Sequence, residues 1–380
     1  MVTLNRGNQM HVLHVIATGA RRGGETFASD LIRALARSDL AQQVAILHGP
    51  SEHSLDLPVP AMTLDPARAA NPPRRFDLRL LRSLRKLISE TQPDVVQAHG
   101  GEALKYAVAT FLKPPPILYR RIGAVVPELR RGFRRWAFSA QMGRAVRVIA
   151  VSETVRRETI ELFRIPPSKI VTIPNAIDPF RLKGSGDATA MRRSLGVRDD
   201  VSVLTFLGAF TWEKDPLANL EIALDVLRAV PNTIFLMVGD GPLRDEVEAA
   251  CYRHRLADRI LVLGSRADIG DLLAMTDVLI SASKTEGMPA NVIEAGMVSV
   301  PVAAYALSGI PEVVIDGKTG VLSAPGDRAT LTSRIIDLLG DDKRRLELGS
   351  SARARCYELF DINAVAPQYL SVYREIAHGR

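Results

Sequence analysis

Cysteine is nearly absent: only Cys251 and Cys356 occur in 380 residues. Two thiols about a hundred positions apart give neither a disulfide framework nor a zinc-ligand spacing, and they read as reduced thiols. No apolar run reaches the about 18 residues that a membrane-spanning helix needs. The apolar stretch 11–18 is only strand-length, and Arg21-Arg22 follow it instead of preceding it, unlike the charge order of a signal peptide. Aromatic residues make up 5% of the chain, and no aromatic platform is interleaved with its basic residues, which argues against nucleic acid as a partner. No G-x-G-x-x-G occurs, which argues against a nicotinamide or flavin enzyme. No aspartate has a second one two positions on, so a D-x-D pair is absent as well.

What is present is ordinary globular material. With 47% hydrophobic and 24% charged residues and no low-complexity tract, the whole length is expected to fold. The chain is too long for one core and fits two domains of roughly 150–200 residues. Its charge is uneven: residues 1–180 hold 26 lysines and arginines against 15 acidic residues, which makes the first half the basic one in a chain of net charge +7. Continuous apolar runs at 11–17, 44–47, 94–98 and 146–151 alternate with helical patterns, such as Phe27, Leu31 and Leu35 at every fourth position. That alternation predicts a parallel sheet covered on both faces. It stops in the polar, turn-forming stretch around Lys183, Gly184, Ser185 and Gly186. It then resumes with runs at 201–207, 233–238, 260–263, 278–281 and 300–304 and a helical segment at 217–230. The expected fold is therefore α/β, two doubly wound, Rossmann-like parallel-sheet domains. The first runs to 182, a linker covers 183–194 and the second spans 195–360.

Ligands of such sheets bind beyond the carboxyl ends of the strands, where glycine-rich turns lead into helix starts. Gly23-Gly24-Glu25 follows the first strand, and Gly239-Asp240-Gly241-Pro242 follows a strand of the second domain. Each is also simply a tight strand-to-helix connection. The segment from Lys284 to Gly296 carries more. Gly287 permits an unusual turn, Pro289 suits the first helical position, and free amides at Gly287 and Met288 could cradle a diphosphate. Glu286 and Glu294 could then accept hydrogen bonds from hydroxyls at opposite ends of one ligand, or they could merely complement the helix dipole. His99 ends an apolar strand before Gly100-Gly101, a place for a structural hydrogen bond or for a ligand contact.

This ordered combination resembles the retaining glycosyltransferases of the GT-B fold, family 4 type, over nearly the full length. Glu286 and Glu294 look like that family's E-x7-E signature, and Gly23-Gly24 like its N-terminal glycine loop. The stretch 93–100 looks like the strand that ends in its active-site histidine, and Ala150-Val151-Ser152 and the run 174–178 match the end of its first domain. Glu213-Lys214, the run 238–243 and Gly309-Ile310-Pro311-Glu312 match three donor-domain landmarks. The resemblance implies a nucleotide-diphosphate sugar, UDP- or GDP-linked, held by the second domain across a cleft, with Glu286 on the sugar, Glu294 on the ribose and Lys214 on the leaving diphosphate. Gly239, Gly241, Gly287, Met288 and Pro289 join these on the donor side. His99, Arg120 and Arg121 belong to the acceptor side, where a glycan, lipid-linked or small-molecule acceptor would sit. No cofactor is implied, and residues 361–380 cross back to the first domain. The chain departs from the pattern at Lys284, at Val298-Ser299 and above all at Ala209, where the family carries a phosphate-binding arginine. Arg266 is the candidate replacement. Two rival readings remain, a non-hydrolysing nucleotide-sugar epimerase of the same fold and a non-catalytic binding protein.

The segment 128–143 has helical period, with Leu129, Phe133, Trp136 and Ala140 on one face and Arg130, Arg131, Arg134 and Arg135 on the other. It reads either as a core stripe with a solvated basic back or as a surface for anionic lipid, in a protein of the cytoplasm and the inner membrane face.

Without D-x-D, the phosphates must be met by Lys214 and backbone amides, so activity is expected to be independent of divalent metal. The check is a transfer assay with excess chelator after metal-free preparation. Near-complete loss of activity, restored by magnesium or manganese, would contradict it.

Overall fold

The computed structural model describes residues 9–49, 55–66, 76–111, 114–123, 125, 127–184, 187–254 and 257–379. The chain divides into two compact units, 1–175 with 362–380, and 176–361. The first division falls seven residues before the expected end of domain one. Of the expected linker, Ser185 and Gly186 lie outside the described residues, and Ala188–Ser194 is a helix capped by Asp187, whose side chain accepts from the Ala190 amide.

The first unit is built on strands β1 (Met10–Thr18), β2 (Leu40–His48), β3 (Ala61–Asp65), β4 (Val95–His99), β5 (Ile117–Arg121), β6 (Arg147–Ala150) and β7 (Ile170–Thr172). They form one all-parallel sheet in the order β3-β2-β1-β4-β5-β6-β7. The order reverses between β1 and β4, and a crevice for ligands opens at the carboxyl ends of strands where such a reversal occurs. The turn at Gly23-Gly24 and His99 both lie at that edge. The helix Ile362–His378 belongs to this unit and is held by buried polar pairs. Arg120 on β5 donates to the Tyr369 hydroxyl at 3.2 Å and to Asn175 Oδ1 at 2.7 Å, and its guanidinium lies 3.6 Å from the centre of the Phe27 ring. Tyr373, also buried, bonds Gln97 on β4.

The second unit repeats the design with β8 (Ser202–Leu207), β9 (Thr233–Val238), β10 (Ile260–Gly264), β11 (Val278–Ser281), β12 (Val302–Tyr305) and β13 (Gly320–Ser323), parallel in the order β10-β9-β8-β11-β12-β13. Here the reversal lies between β8 and β11. Leu204, Phe206, Phe235, Met237, Val278 and Ile280 share one face of the sheet by register and are buried there under helices such as Pro216–Ala229 and Arg328–Leu339. Among the described residues no helix is long and apolar enough to cross a membrane.

Candidate active site

In the second unit the loops after β8 and β11 meet at the reversal of strand order. The Lys284 and Thr285 amides both donate to the Glu213 carbonyl, at 2.8 and 3.4 Å. Asn219, fully buried on the helix Pro216–Ala229, gives its amide protons to the carbonyls of Lys214 and Asp215 and accepts from the Ala282 amide at 2.9 Å. Asp215 stands at φ 45°, a left-handed conformation that costs a non-glycine residue about 1 kcal/mol or more and persists only where its surroundings enforce it. The clamp has a chemical result: Lys214 Nζ sits 2.6 Å from Glu286 Oε1, which also accepts from Ser283 Oγ at 2.8 Å. Glu286 is 7% exposed, so the two opposite charges largely neutralise each other out of water.

Pro289 is the N-cap of the helix Ala290–Met297, one position before the expected site, and no side chain caps that helix. Asn291 ties its first turn to the carboxyl end of β8 through the Leu207 carbonyl, at 2.6 Å. Met288 and Gly287 precede it, both buried. Glu294 lies in the second turn, buried, with Oε1 3.0 Å from Arg181 Nη2. Glu286 and Glu294 are thus each matched to a different cation of the same unit.

Three residues expected on the donor side have structural roles of their own. A Cβ on Gly239 would overlap the Gly208 carbonyl, and one on Gly241 would stand 2.6 Å from the Phe210 carbonyl. These glycines are there because the turn after β9 crosses the backbone of the turn after β8, with Gly208 and Phe210 amides bonded to the Val238 and Asp240 carbonyls at 2.9 Å. Arg266, the candidate replacement for the arginine missing at Ala209, is held by Asp268 through contacts of 2.8 and 2.5 Å.

In the first unit, Gly23 begins the helix Gly23–Leu35 with open space beside it, while a Cβ on Gly24 would come within 2.8 Å of Ile122 Cδ1. Glu25 follows, and burial pushes its carboxyl above the usual range. His99 is 4% exposed, and its Nε2 is 3.1 Å from His14 Nδ1. Burial, with the proximity of His14 and of the Arg120 charge behind it, holds the His99 imidazole well below the ordinary histidine range. Burial likewise lowers His14 to about 4. Both rings are neutral near pH 7. Arg120 and Arg121, expected on the acceptor side, are 0% and 3% exposed. Arg120 is engaged with the Ile362–His378 helix, and Arg121 lies over the Phe163 ring, so both belong to the wall beneath the crevice.

Sequence reasoning missed Asn219, Asn291, Ser283 and Arg181. It also missed a group at the carboxyl edge of the first sheet, His48, Glu102 and Lys105, in which Glu102 Oε1 is 2.7 Å from Lys105 Nζ and 3.5 Å from His48 Nε2. Only Asn219 left a usable signal, a polar residue inside the apolar stripe of a helix. Among the described residues, no cluster of histidine, cysteine and carboxylate side chains could hold a metal ion.

The model of the Glycosyltransferase Family 4 domain matches residues 21–181, and that of Glycosyl transferases group 1 matches 187–355. Together they take in both units. The chain belongs to the family 4 type glycosyltransferases of the GT-B fold. It is 30% identical, over 60% of its length, to the N-acetyl-alpha-D-glucosaminyl L-malate synthase of Bacillus anthracis, and the match spans 59% of that relative. It is 25% identical over 75% of its length, and 76% of the relative's, to the UDP-Gal:alpha-D-GlcNAc-diphosphoundecaprenol alpha-1,3-galactosyltransferase of Escherichia coli. Its fold is that of Anabaena Alr3699/HepE in complex with UDP and glucose, with a TM-score of 0.81 at 23% identity over 96% of this glycosyltransferase and 99% of that chain.

The buried histidines make stability depend on pH. The unfolded chain takes up protons at histidine as pH falls through about 6.5, while folded His14 does not until about 4, so stability present above 6.5 is lost as pH drops. From His14 alone, unfolding free energy is expected to fall by about 2 kcal/mol between pH 7 and 5. Denaturant titration at both pH values checks this, with His14→Gln expected to show a shallower dependence than wild type. An equal dependence in both would contradict the assignment.

Proposed function

We propose that this glycosyltransferase moves a hexose-type sugar from a UDP- or GDP-sugar to a glycan, lipid-linked or small-molecule acceptor, with retention at the anomeric carbon. The observation that carries the reading is the Lys214–Glu286 pair, held beside an uncapped helix start with Glu294 further along the same helix. A departing nucleotide diphosphate needs a preorganised positive site as negative charge builds on its oxygens. Lys214 and the amides around Gly287, Met288 and the helix start supply one, and Ala209 leaves no arginine to share the task. Glu286, released from Lys214 by the diphosphate, then accepts from hydroxyls of the sugar, and Glu294 accepts from those of the ribose. The relatives include an N-acetyl-alpha-D-glucosaminyl L-malate synthase and a UDP-Gal:alpha-D-GlcNAc-diphosphoundecaprenol alpha-1,3-galactosyltransferase, which supports keeping the acceptor class broad.

The reading includes contact with an anionic membrane. The helix Gly132–Gly143 does not bury the face its sequence suggests. Its packing face is Phe138, Ser139 and Met142, with Phe138 edge-on to Tyr119 and Phe163, while Phe133 and Trp136 are 76% and 64% exposed and lean on each other at 5.4 Å. Arg131, Arg134 and Arg135 are exposed around them, and Arg130 pairs with Glu158 at 3.3 Å. Two unburied aromatic rings ringed by arginine suit the interface of an anionic bilayer.

Three outcomes test the proposal. Glu294→Ala should weaken binding of the free nucleotide, whereas Glu286→Ala should spare it and depress turnover; calorimetry with UDP or GDP beside an activity assay separates them, and equal loss of nucleotide affinity in both would contradict the division. Lys214→Ala should lose about 3 kcal/mol of transition-state stabilisation, read as kcat/KM, comparable to one strong preorganised donor. A variant keeping more than about a third of wild-type kcat/KM would show that Lys214 does not bear the leaving group's charge. Finally, vesicles containing phosphatidylglycerol should bind the wild type and release it in moderate salt. Phe133→Ser with Trp136→Ser should bind less, and absence of wild-type binding at low ionic strength would remove the membrane from the account.

A further inference from the structure

A chain of three buried hydrogen bonds ends at His99, and its direction can be read from the one member that has no choice. The carbonyl of Ile32 can only accept. Gln42, 5% exposed on β2, meets it at 3.2 Å, so the atom facing Ile32 is the amide nitrogen and the other, Oε1, faces His14. Turning the amide over would set two oxygens against each other in a dry core, a cost of about 1–3 kcal/mol for the group left unpaired. Gln42 Oε1 cannot donate, and it lies 3.2 Å from His14 Nε2, so that nitrogen carries the proton. A neutral imidazole has one N–H, which leaves His14 Nδ1 a bare lone pair. His99 Nε2, 3.1 Å away, must then be the donor. The remaining nitrogen of His99, Nδ1, is a lone pair too, and it is buried with no hydrogen-bond partner.

We propose that Gln42 and His14 are positioning residues that fix His99 in its Nε2–H tautomer, so that Nδ1 is presented as a hydrogen-bond acceptor to a hydroxyl of the bound sugar. This rests on the glycosyl-transfer reading for the ligand but not for the relay. A buried acceptor without a partner is costly, and the ligand class that relieves it is one that donates: a hydroxyl fits, whereas a phosphate or carboxylate oxygen would face a lone pair. The neutral state of both rings has the same consequence. The lowered basicity that burial gives His99 favours accepting a hydrogen bond over taking the proton away, which suits a selector of hydroxyl geometry better than a general base. Tyr373 stands edge-on to His14 with ring centres 6.4 Å apart and closes the relay from the other side.

The test is ring-nitrogen NMR of the full chain labelled with 15N-histidine at pH 7. In the wild type, His99 Nε2 is expected to resonate as a protonated nitrogen and Nδ1 as an unprotonated one, with His14 in the same tautomer. In Gln42→Met, which keeps the volume and removes both amide contacts, the two rings should show mixed tautomers while UDP or GDP affinity stays within about two-fold of wild type. A wild-type His99 protonated at Nδ1, or a Gln42→Met spectrum identical to wild type, would overturn the proposal. If Gln42→Met does not fold, the wild-type spectrum decides alone. Failure to bind either nucleotide would instead count against the glycosyl-transfer reading and leave the relay standing on its own spectrum.

Discussion

The amide of Asn219 is the contact on which the second unit's site depends. It lies where the strand order reverses between β8 and β11, and its three hydrogen bonds join the backbone on both sides of the reversal. Everything nearby follows from that junction. The left-handed Asp215 is tolerated because the carbonyls on either side of its amide are held, and Lys214 is brought to Glu286 without either side chain having to search for the other. Without the Asn219 side-chain amide, the Lys214 carbonyl and the Ala282 amide would lose this partner, at a cost of about 1–3 kcal/mol for each group left unpaired, while the Asp215 carbonyl would keep its bond from the Asn219 backbone amide. Under the proposed function such rigidity is useful, because positive charge that is already placed does not have to reorganise when a bond to a diphosphate breaks.

The first unit uses a different device at the equivalent edge of its sheet. Its polar residues lie one behind another, from Gln42 through His14 to His99 and from Arg120 to Tyr369, and they are satisfied by each other at almost every step. The helix Ile362–His378 supplies two of the tyrosines in that layer, so the last segment of the chain is part of the wall behind His99. A polar layer under a crevice is expensive to bury and rigid once satisfied. It lowers the charge available at the site and leaves it with directional hydrogen bonding, which suits the recognition of hydroxyls better than that of anions.

Much of this was legible in the sequence, because apolar runs of strand length between helical patterns admit few folds other than a parallel sheet covered on both faces. The strands β1, β2, β4, β6 and β8 to β12 stand out in that way. β5 does not: two of its five residues are Arg120 and Arg121, and nothing local tells that both guanidinium groups are buried. β13 is short and opens on glycine. The helix Gly132–Gly143 misleads for a related reason. Two apolar faces compete on it, Phe133 with Trp136 and Phe138 with Met142, and periodicity cannot say which one meets the sheet. Among the candidate residues, the glutamates and Lys214 of the second unit and His99 of the first were visible through their spacing and their places after strands. Of their neighbours, Asn219 left only the trace of a polar residue in an apolar helix stripe, and Ser283 and Arg181 left none; a contact across 113 residues, such as that of Arg181 to Glu294, makes no pattern in the chain. Gly239 and Gly241 show the converse: their pattern was plain, and its physical reason proves to be two backbones crossing.

The central claim is that this chain breaks the bond between a sugar and a nucleoside diphosphate by stabilising the leaving group, with retention at the anomeric carbon. It can be measured before any acceptor is known, because water replaces a missing acceptor slowly. The measurement is proton NMR of the wild-type protein incubated with a series of UDP- and GDP-sugars, recording the anomeric form of the sugar first released. The account predicts that at least one donor is consumed and that the first-formed sugar keeps the donor's anomeric configuration. Release of the opposite anomer, or no consumption of any donor in the series, would contradict it.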